Sequence, residues 1–186
     1  MRRVKSVKDL EKWKNDILAK QKRHEIIVSV CGGTGCQAYD CQRVKALFQQ
    51  ELTRKGMREK VALKVTGCPG FCERGPLVTI YPHNISYQRV KAEDVPEIIS
   101  ETIQNGKKVD RLLFEDPNAH RKITSAGDIP FYRSQMRLLL GRNDLIDPKR
   151  IEDYIAVGGY QSLAKALFQM KPTEIIEGLQ PPDLRG

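Results

Sequence analysis

The chain has 186 residues, which is enough for one well-buried domain with a substantial appendage, and its 40% hydrophobic and 30% charged composition excludes a disordered chain. The formal net charge of +9 would attract an acidic partner, but the basic residues are diffuse, which favours a solvated surface over nucleic-acid binding. No apolar run reaches the roughly 18 residues of a membrane helix, and no signal-peptide core is present, so the sequence predicts a cytoplasmic protein without direct membrane insertion.

The first part of the chain predicts a sheet with helices packed on it. Apolar residues at helical spacing indicate a leading helix over Val7–Gln21, and residues 25–30 form an apolar strand. The next elements are a loop rich in glycine and cysteine, a helix over residues 41–55, a strand over 61–65, a hairpin of strands 77–81 and 85–90, and a helix over 93–104. This βα–ββα order predicts a fold of the α/β or α+β class.

The hydrophobic pattern of the sequence changes after Gly106. Residues 107–130 contain two prolines and no sustained period, which predicts an ordered connector or a linker. From Phe131 the pattern is helical again, and Asp147 before Pro148 is typical of a helix start. The predicted organisation is therefore a leading helix and sheet domain over 1–106, a connector over 107–130 and a small helical region over 131–186.

All five cysteines lie between Cys31 and Cys72, and without a secretion signal this favours metal, cluster or redox chemistry over structural disulfides. Cys31 and Cys36 form C-x4-C after the first strand, and Cys68 and Cys72 form C-x3-C after the second. If these strands are neighbours, four thiolates converge at one end of the sheet. Loops of this size favour a [2Fe–2S] cluster over zinc, and a zinc-stabilised scaffold that docks subunits is the alternative.

The glycines of the first loop fit the same interpretation. Gly32, Gly33 and Gly35 would let backbone N–H groups approach a negatively charged cluster without Cβ collisions. A phosphate loop is disfavoured, because the segment has neither G-x-G-x-x-G nor G-K-[ST]. Cys41 is interpreted as a free buried thiol, and the alternative is that it replaces Cys36 as a ligand.

The two cysteine motifs, the second within VTGCPGFCERGPLVTIYP, resemble those of the thioredoxin-like [2Fe–2S] ferredoxins. The resemblance covers residues 25–106 and implies the ferredoxin fold of that family, an α/β sheet with flanking helices. It also implies that the cluster ligands are Cys31, Cys36, Cys68 and Cys72.

The C-terminal third is similar to a second family. The stretch IEDYIAVGGYQSLAKAL resembles the N-terminal part of the NADH-binding flavoprotein subunit of complex-I-type dehydrogenases and electron-bifurcating hydrogenases. The resemblance implies an electron-transfer module of an NAD(P)H-dependent flavoprotein oxidoreductase, with other subunits of the complex or an acidic electron carrier as partners.

In that family the nucleotide-binding loop would follow Gly186, where this chain stops. FMN, NAD and a [4Fe–4S] cluster are therefore expected only in a full-length parent. We expect no reaction of this chain with NADH alone, because a hydride must be split into single electrons by a flavin. Residues 131–186 are expected to be mobile or to self-associate, since their apolar stripes need a partner.

Overall fold

The computed structural model describes residues 3–179 and divides the chain into two units. The larger unit spans Lys22–Arg150, and the smaller one joins the N-terminal helix α1 (Val7–Gln21) to the helices after residue 150. No helix within the described residues has the length and apolar character needed to cross a bilayer. The expectation that the family's nucleotide-binding loop would follow Gly186 falls at residues 183–186, which lie outside the described residues.

The larger unit is built on a four-stranded mixed sheet with the order β2-β1-β3-β4. The central strand β1 (Ile26–Cys31) pairs in parallel with β2 (Val61–Thr66). On its other side it pairs antiparallel with β3 (Val78–Tyr81), which forms a hairpin with β4 (Ile85–Tyr87). Strand β4 ends earlier than its apolar pattern predicts, because Arg89 takes a left-handed backbone conformation with φ 51°.

Helices cover this sheet. A short helix α2 (Thr34–Ala38), which the sequence predicts only as loop, precedes α3 (Cys41–Arg54). The buried face of α3 contributes Val44, Phe48 and Leu52 to the sheet core. Gly56, with φ 64°, follows the end of α3 as its sequence predicts. Helix α4 (Val95–Glu97) continues as a π-helix over Ile98–Gln104 and buries Ile98 and Ile99 in the same core.

Residues 107–133 are an ordered part of the larger unit. They form a second, two-stranded sheet of β5 (Phe114–Asp116) and β6 (Arg121–Ile123), followed by the short helix α5 (Pro130–Arg133). Val109, Leu112 and Leu113 are buried in the core of the main sheet. The connector expected here therefore completes that core.

Of the helices expected from Phe131 onwards, the first is confined to α5. Residues 134–150 form turns, in which Leu138 and Leu139 are 85% and 92% exposed. Three leucines in a row do not follow the 3.6-residue period, so they give a helix no single face to bury. Asp147 accepts a hydrogen bond from the backbone N–H of Lys149 (2.9 Å) and closes a turn instead of starting a helix.

The smaller unit packs α1 with α6 (Ile151–Ala156) and α7 (Gln161–Gln169), and α8 (Pro172–Leu179) follows. Its buried cluster is formed by Leu10, Ile17, Ile155 and Ala164. The sequence predicts α1 as part of a first domain over residues 1–106, whereas the structure groups it with the C-terminal helices. A hydrophobic stripe predicts that one face of a helix is buried, but it does not predict which element packs against that face.

Candidate metal centre

Two loops at one edge of the main sheet carry the four predicted ligands. Because β1 and β2 are parallel neighbours, their carboxyl ends lie at the same edge. Cys31 is the last residue of β1 and Cys36 lies in α2. Cys68 follows β2 and Cys72 begins a 3-10 turn. The condition on which the sequence argument depended, that these strands are adjacent, is met.

Cys68 and Cys72 form a hydrogen-bonded pair with their Sγ atoms 3.3 Å apart, and Cys31 and Cys36 lie close enough for each to shift the pKa of the other. Cys31 and Cys36 are buried, whereas Cys72 is exposed. Within residues 3–179 no three His, Cys, Asp or Glu side chains converge on the position of a single metal ion. Two separate pairs match the donor set of a two-iron centre, in which each iron takes two cysteines.

Neighbouring groups set the pKa values of these thiols. The interaction between Cys31 and Cys36 lowers the pKa of Cys36 to about 7, and the same interaction, with burial, raises the pKa of Cys31. The hydrogen bond to Cys68, followed by burial, raises the pKa of Cys72. Since thiols so close together oppose one another's ionisation, four thiolates require a positively charged centre among them.

A backbone N–H group points at one of the sulfurs. The N–H of Gly70 donates to Cys68 Sγ at 3.3 Å. Such donors stabilise negative charge on sulfur without adding a countercharge.

Glycines let the two loops interleave. A Cβ built on Gly33 would lie 2.7 Å from the Cβ of Cys68, and one on Gly35 would lie 3.0 Å from the Cβ of Cys72. Gly32 differs from its expected role, because its Cβ would meet Val65 at 2.6 Å and no sulfur. It allows a close approach to β2, and only the other two glycines lie against cysteines.

Gly75 is a site residue that the sequence argument did not single out. Its Cβ would lie 2.6 Å from the Sγ of Cys36, a cysteine of the other loop. The available signal was its place in the C-x2-GP motif after Cys72. The position therefore requires glycine for the same reason as Gly33, close approach of backbone to a sulfur ligand.

Aromatic and aliphatic side chains cover the buried pair of thiols. The wall is formed by Phe71, Leu77, Phe114, Ile123, Ile129 and Tyr132. Phe71 stacks on Phe131 with ring centroids 4.4 Å apart, and the guanidinium of Arg74 lies 5.3 Å from the ring centre of Phe114. Most of this wall comes from residues 107–133, so the segment expected to be a connector also excludes water from the site.

Residues 134–150 brace the second cysteine loop. Asn143 Nδ2 donates to the carbonyl of Cys68 at 3.2 Å, and Arg137 Nη1 donates to the carbonyl of Pro69 at 3.3 Å. The N–H of Gly67 donates to the carbonyl of Ile146 at 3.3 Å. These bonds fix the backbone from which Cys68 projects.

Cys41 lies beside the site but in neither thiol pair. It is the first residue of α3 and is 2% exposed within the same apolar cluster as Cys31 and Cys36. Burial, and then the nearby charge of Cys36, raise the pKa of the Cys41 thiol. A neutral, packed thiol is the expected state of this residue.

Comparison with known proteins identifies the class to which this fold and site belong. The family model of the thioredoxin-like [2Fe–2S] ferredoxins matches residues 16–103. A 2Fe–2S ferredoxin of Clostridium pasteurianum is 33% identical over 96 residues, which cover 49% of this chain and 94% of that protein. The chain belongs to the thioredoxin-like [2Fe–2S] ferredoxin family, and the predicted fold class, a ferredoxin sheet with flanking helices and a C-terminal helical region, is confirmed.

Two further similarities are partial. The HndC subunit of the NADP-reducing hydrogenase of Solidesulfovibrio fructosivorans is 41% identical over 54 residues, which cover 29% of this chain and 11% of that protein. The crystal structure of the wild-type thioredoxin-like [2Fe–2S] ferredoxin of Aquifex aeolicus aligns with a TM-score of 0.45 and 28% identity, and the alignment covers 50% of this chain and 99% of that one.

Proposed function

We propose that this chain is an electron-transfer module that carries a [2Fe–2S] cluster on Cys31, Cys36, Cys68 and Cys72. The observation that carries the proposal is the close approach of the two cysteine loops at one edge of the sheet, with glycine at the points where a Cβ would strike a cysteine. Family membership supports the same cofactor. The residues present fit the cluster, since thiolates and inward N–H groups are the donors that iron–sulfur centres take.

Each part of the site has a role in this function. When bound, the cluster supplies a one-electron redox centre. The N–H of Gly70 stabilises negative charge on the Cys68 sulfur, and the apolar wall keeps water from the buried thiols. Because Cys72 is the exposed ligand, electron donors and acceptors approach the cluster from the side of the second loop.

We further propose that the module serves a multi-subunit NAD(P)H-dependent flavoprotein oxidoreductase. The similarity to a hydrogenase subunit supports this context, as does the resemblance of residues 151–167 to a flavoprotein subunit. The partners of the module are then other subunits of the complex or an acidic electron carrier. FMN, NAD and a [4Fe–4S] cluster would belong to the longer parent.

Iron and acid-labile sulfide assays test the cluster. Chain purified without oxygen should be coloured and carry about two irons and two sulfides, and after chemical reduction it should give the paramagnetic signal of a mixed-valence iron pair. Stoichiometric zinc without sulfide in freshly isolated protein would instead support the docking scaffold.

Alanine variants test the ligand set. Replacement of Cys31, Cys36, Cys68 or Cys72 removes one of four thiolates and should abolish or greatly weaken cluster assembly. Cys41→Ala is the matched control and should leave the visible spectrum nearly unchanged. If Cys41→Ala loses the cluster while Cys36→Ala keeps it, the ligand set proposed for the first loop is wrong.

A further inference from the structure

Two residues of the edge strand β2 point their backbone N–H and C=O groups away from the main sheet. The sheet order places β2 at one edge. The carbonyls of Lys60 and Thr66 accept hydrogen bonds from the N–H groups of Ile26 and Gly32, at 3.1 Å and 2.8 Å. In a parallel ladder this fixes the even-numbered residues of β2 as those that face β1. The backbone groups of the odd-numbered residues, among them Leu63 and Val65, therefore point away from the sheet.

The chain itself closes both ends of this edge. The N–H of Val61 donates to the carbonyl of Met57 at 2.9 Å, and the N–H of Gly67 donates to the carbonyl of Ile146 at 3.3 Å. Between these closures lie the outward N–H and C=O groups of Leu63 and Val65. An exposed edge of this kind is a template for one more strand.

A groove lined by basic side chains surrounds these outward-pointing backbone groups. It has a volume of about 360 Å³ and is lined by β2, by α3 and by the turn at residues 147–150. Lys45, Arg58 and Arg150 lie on its rim, and Asp147 is the one acidic side chain among its lining residues. Within residues 3–179 none of the three basic side chains forms an ion pair. The groove thus offers backbone pairing along its floor and unpaired positive charge along its rim.

We propose that the β2 edge binds an extended acidic segment of a partner protein, which adds a strand to the sheet. Backbone bonds to Leu63 and Val65 would hold such a segment, and its carboxylates would reach the basic rim. A second copy of this chain is a poor occupant, because pairing β2 with β2 would bring two basic rims together in a chain of net charge +9. The site needs no cluster, so it goes beyond the proposed function.

A peptide probe tests strand addition. The acidic probe is an acetylated and amidated peptide of alternating Glu and Val, and it is compared with its Lys–Val counterpart and with a fully N-methylated Glu–Val version. Hydrogen–deuterium exchange is followed across residues 61–66 of the full chain. The acidic probe should slow exchange of the Leu63 and Val65 amides, whereas the Lys–Val probe, repelled by the rim, and the N-methylated probe, which lacks amide donors, should not.

A charge swap tests the rim. The double variant Lys45→Glu with Arg150→Glu should bind the Glu–Val probe about tenfold more weakly at low salt and should gain protection by the Lys–Val probe. The control, Lys107→Glu with Lys108→Glu, makes the same charge change at exposed residues outside the groove and should change neither.

Three results would overturn the proposal. The first is unchanged exchange at Leu63 and Val65 with the acidic probe. The second is equal binding of the N-methylated probe, which would mean charge attraction without strand addition. The third is sedimentation showing that the chain self-associates with these amides protected, which would make a second copy the occupant.

Discussion

At the scale of single residues, the site depends on glycine as much as on cysteine. Cys31, Cys36 and Cys41 are all 3% exposed or less, so burial does not separate a ligand from a spare thiol. What separates them is their effect on one another, since Cys31 and Cys36 shift each other's pKa in opposite directions, whereas burial is the main cause of the raised pKa of Cys41. Contact with the second loop also distinguishes Cys36, because Gly75 brings the backbone of that loop against its sulfur.

We predict that Gly75→Ala weakens cluster binding. The new Cβ would lie 2.6 Å from the Sγ of Cys36, so either the loop or the thiol must move, at a cost of about 1–3 kcal/mol. The variant should hold less iron per chain and bleach faster with a chelator. Gly127→Ala is the matched control, since its Cβ would meet only Ser125 Oγ at 3.8 Å. Equal iron content in the two variants would contradict the role assigned to Gly75.

At the scale of elements, the sequence predicts those helices and strands that are long enough to show a periodic hydrophobic pattern. Helices α1 and α3 and strands β1 and β2 agree with their predictions to within about a residue at each end, because each is long enough to show a stripe or an alternation. The cysteine loops were placed correctly because both follow strand ends. The contacts between the two loops could not be derived, since Gly75 and Cys36 are far apart in the sequence and meet only in the folded chain.

Residues 107–150 show where sequence reasoning fails. Strands β5 and β6 have three residues each, too few for an alternation to be recognised. The contacts that order this segment are tertiary, such as the burial of Phe114 beside Phe71 and the bond from Asn143 to the carbonyl of Cys68. No local pattern encodes either contact.

We predict that Asn143→Ala loosens the second cysteine loop without unfolding the sheet. It removes one hydrogen bond to the carbonyl of Cys68, worth about 1 kcal/mol. Iron release to a chelator should accelerate several-fold, while the far-ultraviolet circular dichroism stays unchanged. Asn118→Ala removes the same amide from an exposed side chain and should release iron at the wild-type rate. An Asn143→Ala rate equal to that control would show that residues 134–150 do not brace the loop.

At the scale of the whole molecule, the core of the main sheet and the core of the smaller unit are built from different parts of the chain. The main sheet core draws on residues 26–113, and the smaller core joins Leu10 and Ile17 of α1 to Ile155 and Ala164. Residues 151–179 therefore bury an apolar face against α1, although Leu163, Leu167 and Phe168 remain 45–68% exposed. The sequence predicts both sets of helices but gives no sign that the first helix of the chain packs with the last ones.

We predict that Ile155→Ala destabilises the smaller unit while the cluster is retained. Ile155 is 1% exposed and packs in the cluster that contains Leu10 and Ile17, so truncation should cost about 2–5 kcal/mol in that unit. Hydrogen exchange should accelerate in α1, α6 and α7, while exchange in β1 and the visible absorption of the cluster stay as in the wild type.

Val28→Ala is the reciprocal variant, since Val28 is fully buried in the sheet core. It should accelerate exchange in β1 and weaken the cluster while leaving α6 and α7 unchanged. If either variant accelerates exchange equally in both units, the two cores unfold as one cooperative body, and the division between them is not an energetic one.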